Sequence, residues 1–588
     1  MFGKILSIEE NYVNLENANH KLDANYLNFH VIFQENNRSV VGEIVSMNEE
    51  IIKIFLVGEI KNNRFISGVL RKPNFNTTPR LIYKSELELL LGSQDIGSQD
   101  NLYIGKSLNY EGYSISADIN DFFANHFAII GNTGSGKSCG VARILQNIFY
   151  HNDTLMPTNA HIVLFDVYGE YNSALSKING LPNMGYKYYT TSMEHDDGDI
   201  INIPAYFLEV DDLALLLNAT SASQLPILEK ALKLVYIFKG QTVSMAKYKN
   251  DIIAEALLEL LTSGRNSTQI RDQIIAILTR YNTKDINLNT PIVQPGYIRT
   301  IRQCLNIDNQ GKMNAVQYLV DFLEQFQKLN ITTIDVDKSI VYNLEDLYYA
   351  LDFALISEGT LKSEKIYDEY NQLKIRLQQI INSENLRFFE PGDARITKGD
   401  YIRKIFTNTK GKVQIINMNL NYIDDRFAKV LAKIYTKMFF DYTTNLNERG
   451  SFPIHIILEE AHRYVQNDSD VNVLGYNIFD RITKEGRKYG ILLGLITQRP
   501  SELSNTALSQ CSNFIAFRMY HPNDLQIISS ISSNVSAETI EKLKSLTSGT
   551  AMVFGLSFKL PLIVKLDLPD PMPKSTSLNV KNVWYSDN

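Results

Sequence analysis

Short apolar runs set the rhythm of this chain, and their character changes along it. Through about residue 90 they are brief and β-prone: Tyr12–Leu15, Phe29–Phe33, Val40–Ile44, Ile51–Val57 and Arg64–Leu70. Turn clusters such as Glu35-Asn36-Asn37 and Lys61-Asn62-Asn63 part them. That close spacing predicts a small antiparallel barrel. Further on, mainly apolar stretches of four to seven residues alternate with helical periodicity. His126–Ile130, Ile162–Asp166, Val413–Ile416, Ile454–Leu458 and Ile491–Thr497 read as buried strands. Val141, Ile144, Leu145, Ile148 and Phe149 recur at helical spacing, as do Phe427, Val430, Leu431, Ile434, Met438 and Phe439. Strands without polar alternation, interleaved with helices, predict a parallel sheet covered on both faces.

Between the two strand-bearing stretches the pattern is helical. Ile270, Ile274, Ile275 and Leu278 share one helical face, and so do Val316, Leu319, Val320, Leu323 and Phe326. The division is therefore a barrel at 1–90, a first half of an α/β core at 91–205, a helical insertion at 206–394, the second half of the core at 395–570, and a tail at 571–588. A near-repeat, Gly92-Ser-Gln-Asp95 and Gly97-Ser-Gln-Asp100, reads as a loop or linker. Pro569, Pro571 and Pro573 make the start of the tail extended, to reach a neighbouring subunit or to fray.

Composition narrows the classes. With 588 residues, 44% of them apolar and 21% charged, the chain is globular with room for several domains. Its net charge of −7 offers no broad basic surface for nucleic acid, though a narrow basic lining is compatible with it. Cys139, Cys304 and Cys511 lack metal spacing and imply a reducing, cytoplasmic setting without disulfides. No run approaches the ~20 apolar residues of a membrane span, so no membrane association is expected.

The candidate chemistry starts at Gly131-Asn132-Thr133-Gly134-Ser135-Gly136-Lys137-Ser138, which reads G-x-x-x-x-G-K-S between a predicted strand and a predicted helix. Glycines in such a turn aim backbone N–H groups at one point, which is also the positive end of the helix dipole. ATP phosphates fit there, with contacts running through Cys139. Lys137 is expected on the β- and γ-phosphates and the Ser138 hydroxyl on Mg²⁺. The run Ile454–Leu458 ends in Glu459-Glu460: the first acid is a candidate for the Mg²⁺ side, the second for polarising the attacking water. Asp166 ends another strand and, with Glu170, is a candidate to assist Mg²⁺ or water, or simply to cap the next turn. Gln498 follows Ile491–Thr497 and is placed to sense the γ-phosphate.

The ordered set His126–Ser138, Asp166-Val-Tyr-Gly-Glu-Tyr171, Leu458-Glu-Glu-Ala-His-Arg-Tyr464, Glu485-Gly-Arg-Lys-Tyr-Gly490 and Thr497-Gln-Arg-Pro-Ser501 resembles the HerA family of ring ATPases. It departs from the family pattern in two places: Asp166-Val-Tyr-Gly-Glu170 stands where Asp-Pro-His-Gly-Glu is frequent, and Glu459 stands where Asp is commoner. Neither change removes a carboxylate. The resemblance implies a RecA-like core, a homo-hexamer, and Arg487 as the arginine that reaches a neighbour's γ-phosphate, with Arg499 as runner-up. It implies an ATP-hydrolysing translocase or helicase on duplex or single-stranded DNA, working with a partner nuclease or sirtuin-type effector in DNA end processing or anti-phage defence. The alternative is a scaffold that assembles such an effector and uses ATP to tune the assembly.

Overall fold

The structure is a computed structural model that describes residues 2–18, 26–92, 94, 98–150, 156–194, 198–313, 315–327, 340–359, 364–392, 395–466, 470–532, 535–574, 580 and 584. By its contacts the chain forms two units. One holds Met1–Ile200, Lys398–Asp468 and Asn477–Asn588; the other holds Ile201–Thr397 and Ser469–Tyr476.

Two large sheets and a two-stranded hairpin, Thr407–Asn408 with Gly411–Lys412, build the first unit. The N-terminal sheet has seven antiparallel strands, six of them in the order Phe2–Ile8, Tyr12–Asn17, Ile51–Lys61, Ser39–Met47, His30–Gln34, Pro79–Leu81, with Arg64–Ser67 on the long Ile51–Lys61 strand. Among the described residues no ladder joins the first strand to the last, so the expected barrel is a half-barrel. The pattern did not flag Phe2–Ile8 and Pro79–Leu81, which are short and mixed in polarity. One apolar cluster runs from Ile32, Val41 and Val57 of this sheet through Leu102 and Ile104 into Phe127, Ile129 and Ile496. His30 Nδ1 also meets Tyr110 Oη at 2.7 Å, and Lys53 pairs with Glu538 at 2.9 Å.

The larger sheet has twelve strands. Eight run parallel in the order Asp199–Ile200, Tyr186–Thr190, Ile415–Asn419, Ile162–Asp166, Ile454–Leu458, Ile491–Thr497, His126–Ile130, Cys511–Phe517. Thr550–Gly555, Leu562–Lys565, Asn101–Ser107 and Ser114–Asp118 extend it antiparallel. The central strands His126–Ile130, Ile162–Asp166 and Ile491–Thr497 are buried at every position. That is why their sequences carry no alternation: both faces are covered. The helix Lys137–Tyr150 buries Val141, Ile144, Leu145 and Phe149, and Asp425–Thr444 buries Phe427, Leu431, Ile434, Met438 and Phe439. Asp424 caps the latter by accepting from the Phe427 N–H at 3.0 Å. The strand expected at Val413–Ile416 lies two residues later, at Ile415–Asn419, because it carries asparagines where an apolar run was sought.

The second unit is largely helical. Ser267–Arg280 buries Ile270, Ile274, Ile277 and Leu278, and Val316–Glu324 buries Leu319 and Leu323. The helix Leu225–Lys239 packs on Leu344–Gly359. Among the described residues no helix is long and apolar enough to cross a membrane. Part of the Gly92–Asp100 segment lies outside the described residues. The start of the tail packs on its own chain: Gln146 Nε2 donates to the Pro571 carbonyl at 2.9 Å, Ser173 Oγ to Met572 O at 2.9 Å, and the Lys574 N–H to Glu170 O at 2.9 Å.

Candidate active site

The carboxyl ends of the parallel strands collect the polar residues. After His126–Ile130 the chain turns through the glycine loop into the helix that begins at Lys137. Gly134 and Gly136 adopt φ of +73° and +93°, values that residues with a Cβ avoid. A Cβ at Gly136 would also meet Gly549 N at 2.6 Å. The loop is braced on several sides: the Gly131 N–H donates to Thr497 O at 3.1 Å, the Asn132 N–H to Arg518 O at 3.0 Å, and the Gly549 N–H to Ser135 O at 2.9 Å. The Ser135 side-chain hydroxyl is buried without a partner among the described residues.

Acids crowd beside this loop. Lys137 Nζ lies 3.4 Å from Glu460 Oε1, both side chains nearly buried. Asp166 accepts the Glu170 and Tyr171 N–H groups at 3.0 and 2.9 Å, the capping role set beside its catalytic one. It also faces Glu459, whose Oε2 accepts the Val167 N–H at 3.0 Å. Burial, then the charges of Asp166 and Glu170, push Glu459 well above the usual carboxylate range. Burial raises Asp166 against the hydrogen bonds that favour its ionised form. Two carboxylates this close cannot both ionise cheaply without a cation. Burial and then the charge of Asp166 raise Glu170, against the nearby Ser138 hydroxyl, which favours its ionised form. An all-oxygen set of this kind suits Mg²⁺.

The sequence candidates divide between the two edges of the sheet. Lys137, Ser138, Asp166, Glu170, Glu459 and Glu460 come together. Gln498 joins them through the loop, its Oε1 accepting from Thr133 Oγ at 2.6 Å. Cys139 is half-buried in the first turn of the helix, with its thiol pushed up by burial. Arg499 stands at the same edge, paired with Glu502 at 2.8 Å. Arg487 does not join them. It sits in the 3₁₀ turn Gly486–Tyr489, ahead of Ile491–Thr497, exposed at the opposite edge. Its charge is felt by His126, the first residue of the glycine-loop strand.

Residues 102–306 match the family model described as the central domain of the helicase HerA. The DNA double-strand break repair helicase HerA of Pyrococcus furiosus is 25% identical over 532 residues, 89% of this chain and 79% of that protein. A probable DNA double-strand break repair helicase HerA of Methanocaldococcus jannaschii is 23% identical over 566 residues, 93% and 92% of the two chains. The chain carries a HerA central domain and is similar to HerA helicases over most of its length. It is an ATP-hydrolysing enzyme of the helicase type. Among solved structures, VirB4 of Thermoanaerobacter pseudethanolicus aligns with 80% of this chain and 97% of its own at 12% identity, with a TM-score of 0.45.

The geometry of the site adds residues that pattern alone did not single out. His462 Nδ1 lies 3.3 Å from Glu460 Oε2 and 3.1 Å from Thr497 Oγ1. Asn417 reaches Asp166 at 3.3 Å. Asn419 approaches Gly169, where an added Cβ would sit 2.8 Å from its amide. The signal for the asparagines was present: in Ile415-Ile-Asn-Met-Asn419, polar residues alternate within a strand buried at every position. His462 lay inside a motif already quoted, but nothing in its spacing marks a ring that turns back on the strand end.

Proposed function

We propose that this HerA-like chain binds ATP with Mg²⁺ on a RecA-like core and hydrolyses it to move DNA. It acts as a ring of subunits, a homo-hexamer by family resemblance, with a partner nuclease or sirtuin-type effector. The observation that carries this reading is the convergence of Lys137, Ser138, Glu170, Glu459, Glu460 and Asp166 at one strand edge. Phosphates draw Lys137 and the loop N–H groups, Gly131 to Cys139. Ser138, Glu459 and Asp166 hold the metal, which when bound neutralises phosphate charge. Glu460 takes the proton of the attacking water.

The same placement separates the two arginine candidates. Arg499 lies beside its own chain's loop. Arg487 lies about a strand's length, roughly 20 Å, from its own Lys137. It acts on the γ-phosphate held by a neighbouring copy, so each site is completed by two chains. The net charge of −7 favours the second reading, an ATP-regulated scaffold for an effector. Steady-state ATP hydrolysis with and without duplex and single-stranded DNA, on wild type and Lys137→Ala, tests the pair. A motor hydrolyses faster on DNA and Lys137→Ala does not hydrolyse. Indifference to DNA with acceleration by the co-purifying partner selects the scaffold, and full activity of Lys137→Ala contradicts both.

A further inference from the structure

The two oxygens of Glu460 are held unequally. Its backbone is left-handed, φ 47° and ψ 48°, a conformation that a side-chain-bearing residue adopts only when its surroundings enforce it. Oε1 faces Lys137 Nζ at 3.4 Å. Oε2 is buried with no hydrogen bond among the described residues. The nitrogen set beside Oε2 is His462 Nδ1, at 3.3 Å. In the structure that nitrogen is turned to Thr497 Oγ1 at 3.1 Å. Thr497 Oγ1 accepts the Arg499 N–H at 2.9 Å, which leaves its own proton to donate to His462. The imidazole therefore stands between two oxygens and serves one of them.

We infer that His462 is a positioning residue for Glu460, taking hold of Oε2 when phosphates draw Lys137 away. The inference rests on the ATP-hydrolysing reading above. Once Lys137 is on the phosphates, Glu460 loses the cation at Oε1, and a buried carboxylate with an unpaired oxygen is costly. A small turn of the ring, with the proton on Nδ1, exchanges Thr497 for Glu460. Oε2 is then fixed and Oε1 is left to face the water. The charged groups around the ring are Glu460, Glu502, Arg499 and Arg463. Of these, Glu460 is the one the structure brings within ion-pair distance. Thr497 adjoins Gln498, whose amide holds Thr133 of the glycine loop. The hand-over thus links the carboxylate to the strand end that meets the γ-phosphate.

The test is steady-state ATP hydrolysis by the full chain, with thermal stability measured alongside. His462→Ala is expected to lower kcat by about 10²-fold, the cost of a catalytic group misplaced by about 1 Å. KM for ATP is expected to stay within about twofold, because ground-state binding is not touched. His462→Asn, whose amide can stand where Nδ1 does, is expected to recover most of the loss. A wild-type rate for His462→Ala overturns the inference. So does an equal loss in the alanine and asparagine variants that follows a fall in Tm, since a packing role explains that. A structure of the wild-type chain with Mg²⁺ and a non-hydrolysable ATP analogue decides independently of folding. His462 Nδ1 on Glu460 Oε2 supports the inference, and Nδ1 still on Thr497 with Lys137 on the phosphates overturns it. A wild-type chain that fails to bind or hydrolyse ATP sinks the ATP reading instead, and the hand-over falls with it.

Discussion

The two edges of the twelve-stranded sheet both bury titratable groups, and they treat them in opposite ways. At the amino edge stand His126, His161 and His455. His126 Nδ1 accepts the Leu493 N–H at 2.9 Å, His161 Nδ1 meets Pro453 O at 3.1 Å, and His455 Nε2 meets Phe123 O at 2.7 Å. His161 also stacks on Phe452, with ring centroids 3.7 Å apart. Burial pushes His126 and His161 down to about 4 and lowers His455 as well, so all three are neutral, backbone-bonded rings in a packed layer. At the carboxyl edge, Glu460 Oε2, Glu170 Oε2, Ser135 Oγ and Asn417 Oδ1 are buried without partners among the described residues. Acids there are forced together rather than apart. Each amino-edge ring has a backbone partner, with His126 Nε2 left unpartnered among the described residues, whereas the unpartnered oxygens at the carboxyl edge lie beside the glycine loop, where strand ends of an open α/β sheet receive ligands.

Arg487 breaks the symmetry of that comparison, because it is a functional candidate on the packed edge. If it serves a neighbour, Arg487→Ala loses about 10³-fold or more in hydrolysis while equilibrium nucleotide binding stays near wild type. Arg499→Ala, which frees an exposed ion pair with Glu502, falls far less. Near-normal hydrolysis by Arg487→Ala, measured alongside collapse of Arg499→Ala, would move the trans-acting role to the carboxyl edge.

A smaller effect tests the amino edge. The folded-state pKa values of His126 and His161, about 4, lie below the unfolded value near 6.5. Their neutral rings therefore contribute stability that is fully present above about pH 6.5 and is lost as pH falls through about 4. Each is worth at most about 3 kcal/mol. His161→Phe keeps the stack on Phe452 and removes one titration. Its Tm is expected to fall less than wild type between pH 7 and pH 4.5. Parallel falls in the two proteins would mean that His161 titrates alike folded and unfolded.

Much of the carboxyl edge was legible in the chain. Asp166, Glu459 and Gln498 each close or follow an apolar run, a pattern that announces a strand tip, and Lys137 ends the glycine loop after one. The helices were legible wherever a single face is buried, as in Asp425–Thr444. Other features depend on three-dimensional approach. Thr133 meets Gln498 across 365 residues of sequence and Lys137 meets Glu460 across 323. Nothing local to Gly549 shows that it supports the glycine loop, or to His462 that it faces Glu460. The N-terminal sheet was read as a barrel from five strands; Phe2–Ile8 went unread because it buries only Ile5 and so carries no clear alternation.

The claim that one catalytic site is built from the opposite edges of two chains can be put to a mixing experiment. Lys137→Ala and Arg487→Ala are each inactive alone. Unfolded, mixed and reassembled in equal amounts, they form rings in which about a quarter of the interfaces pair an intact Lys137 with a neighbour's intact Arg487. Recovery of ATP hydrolysis towards that fraction is the result expected. A mixture as inactive as its parents, in rings shown to contain both variants, would contradict the account.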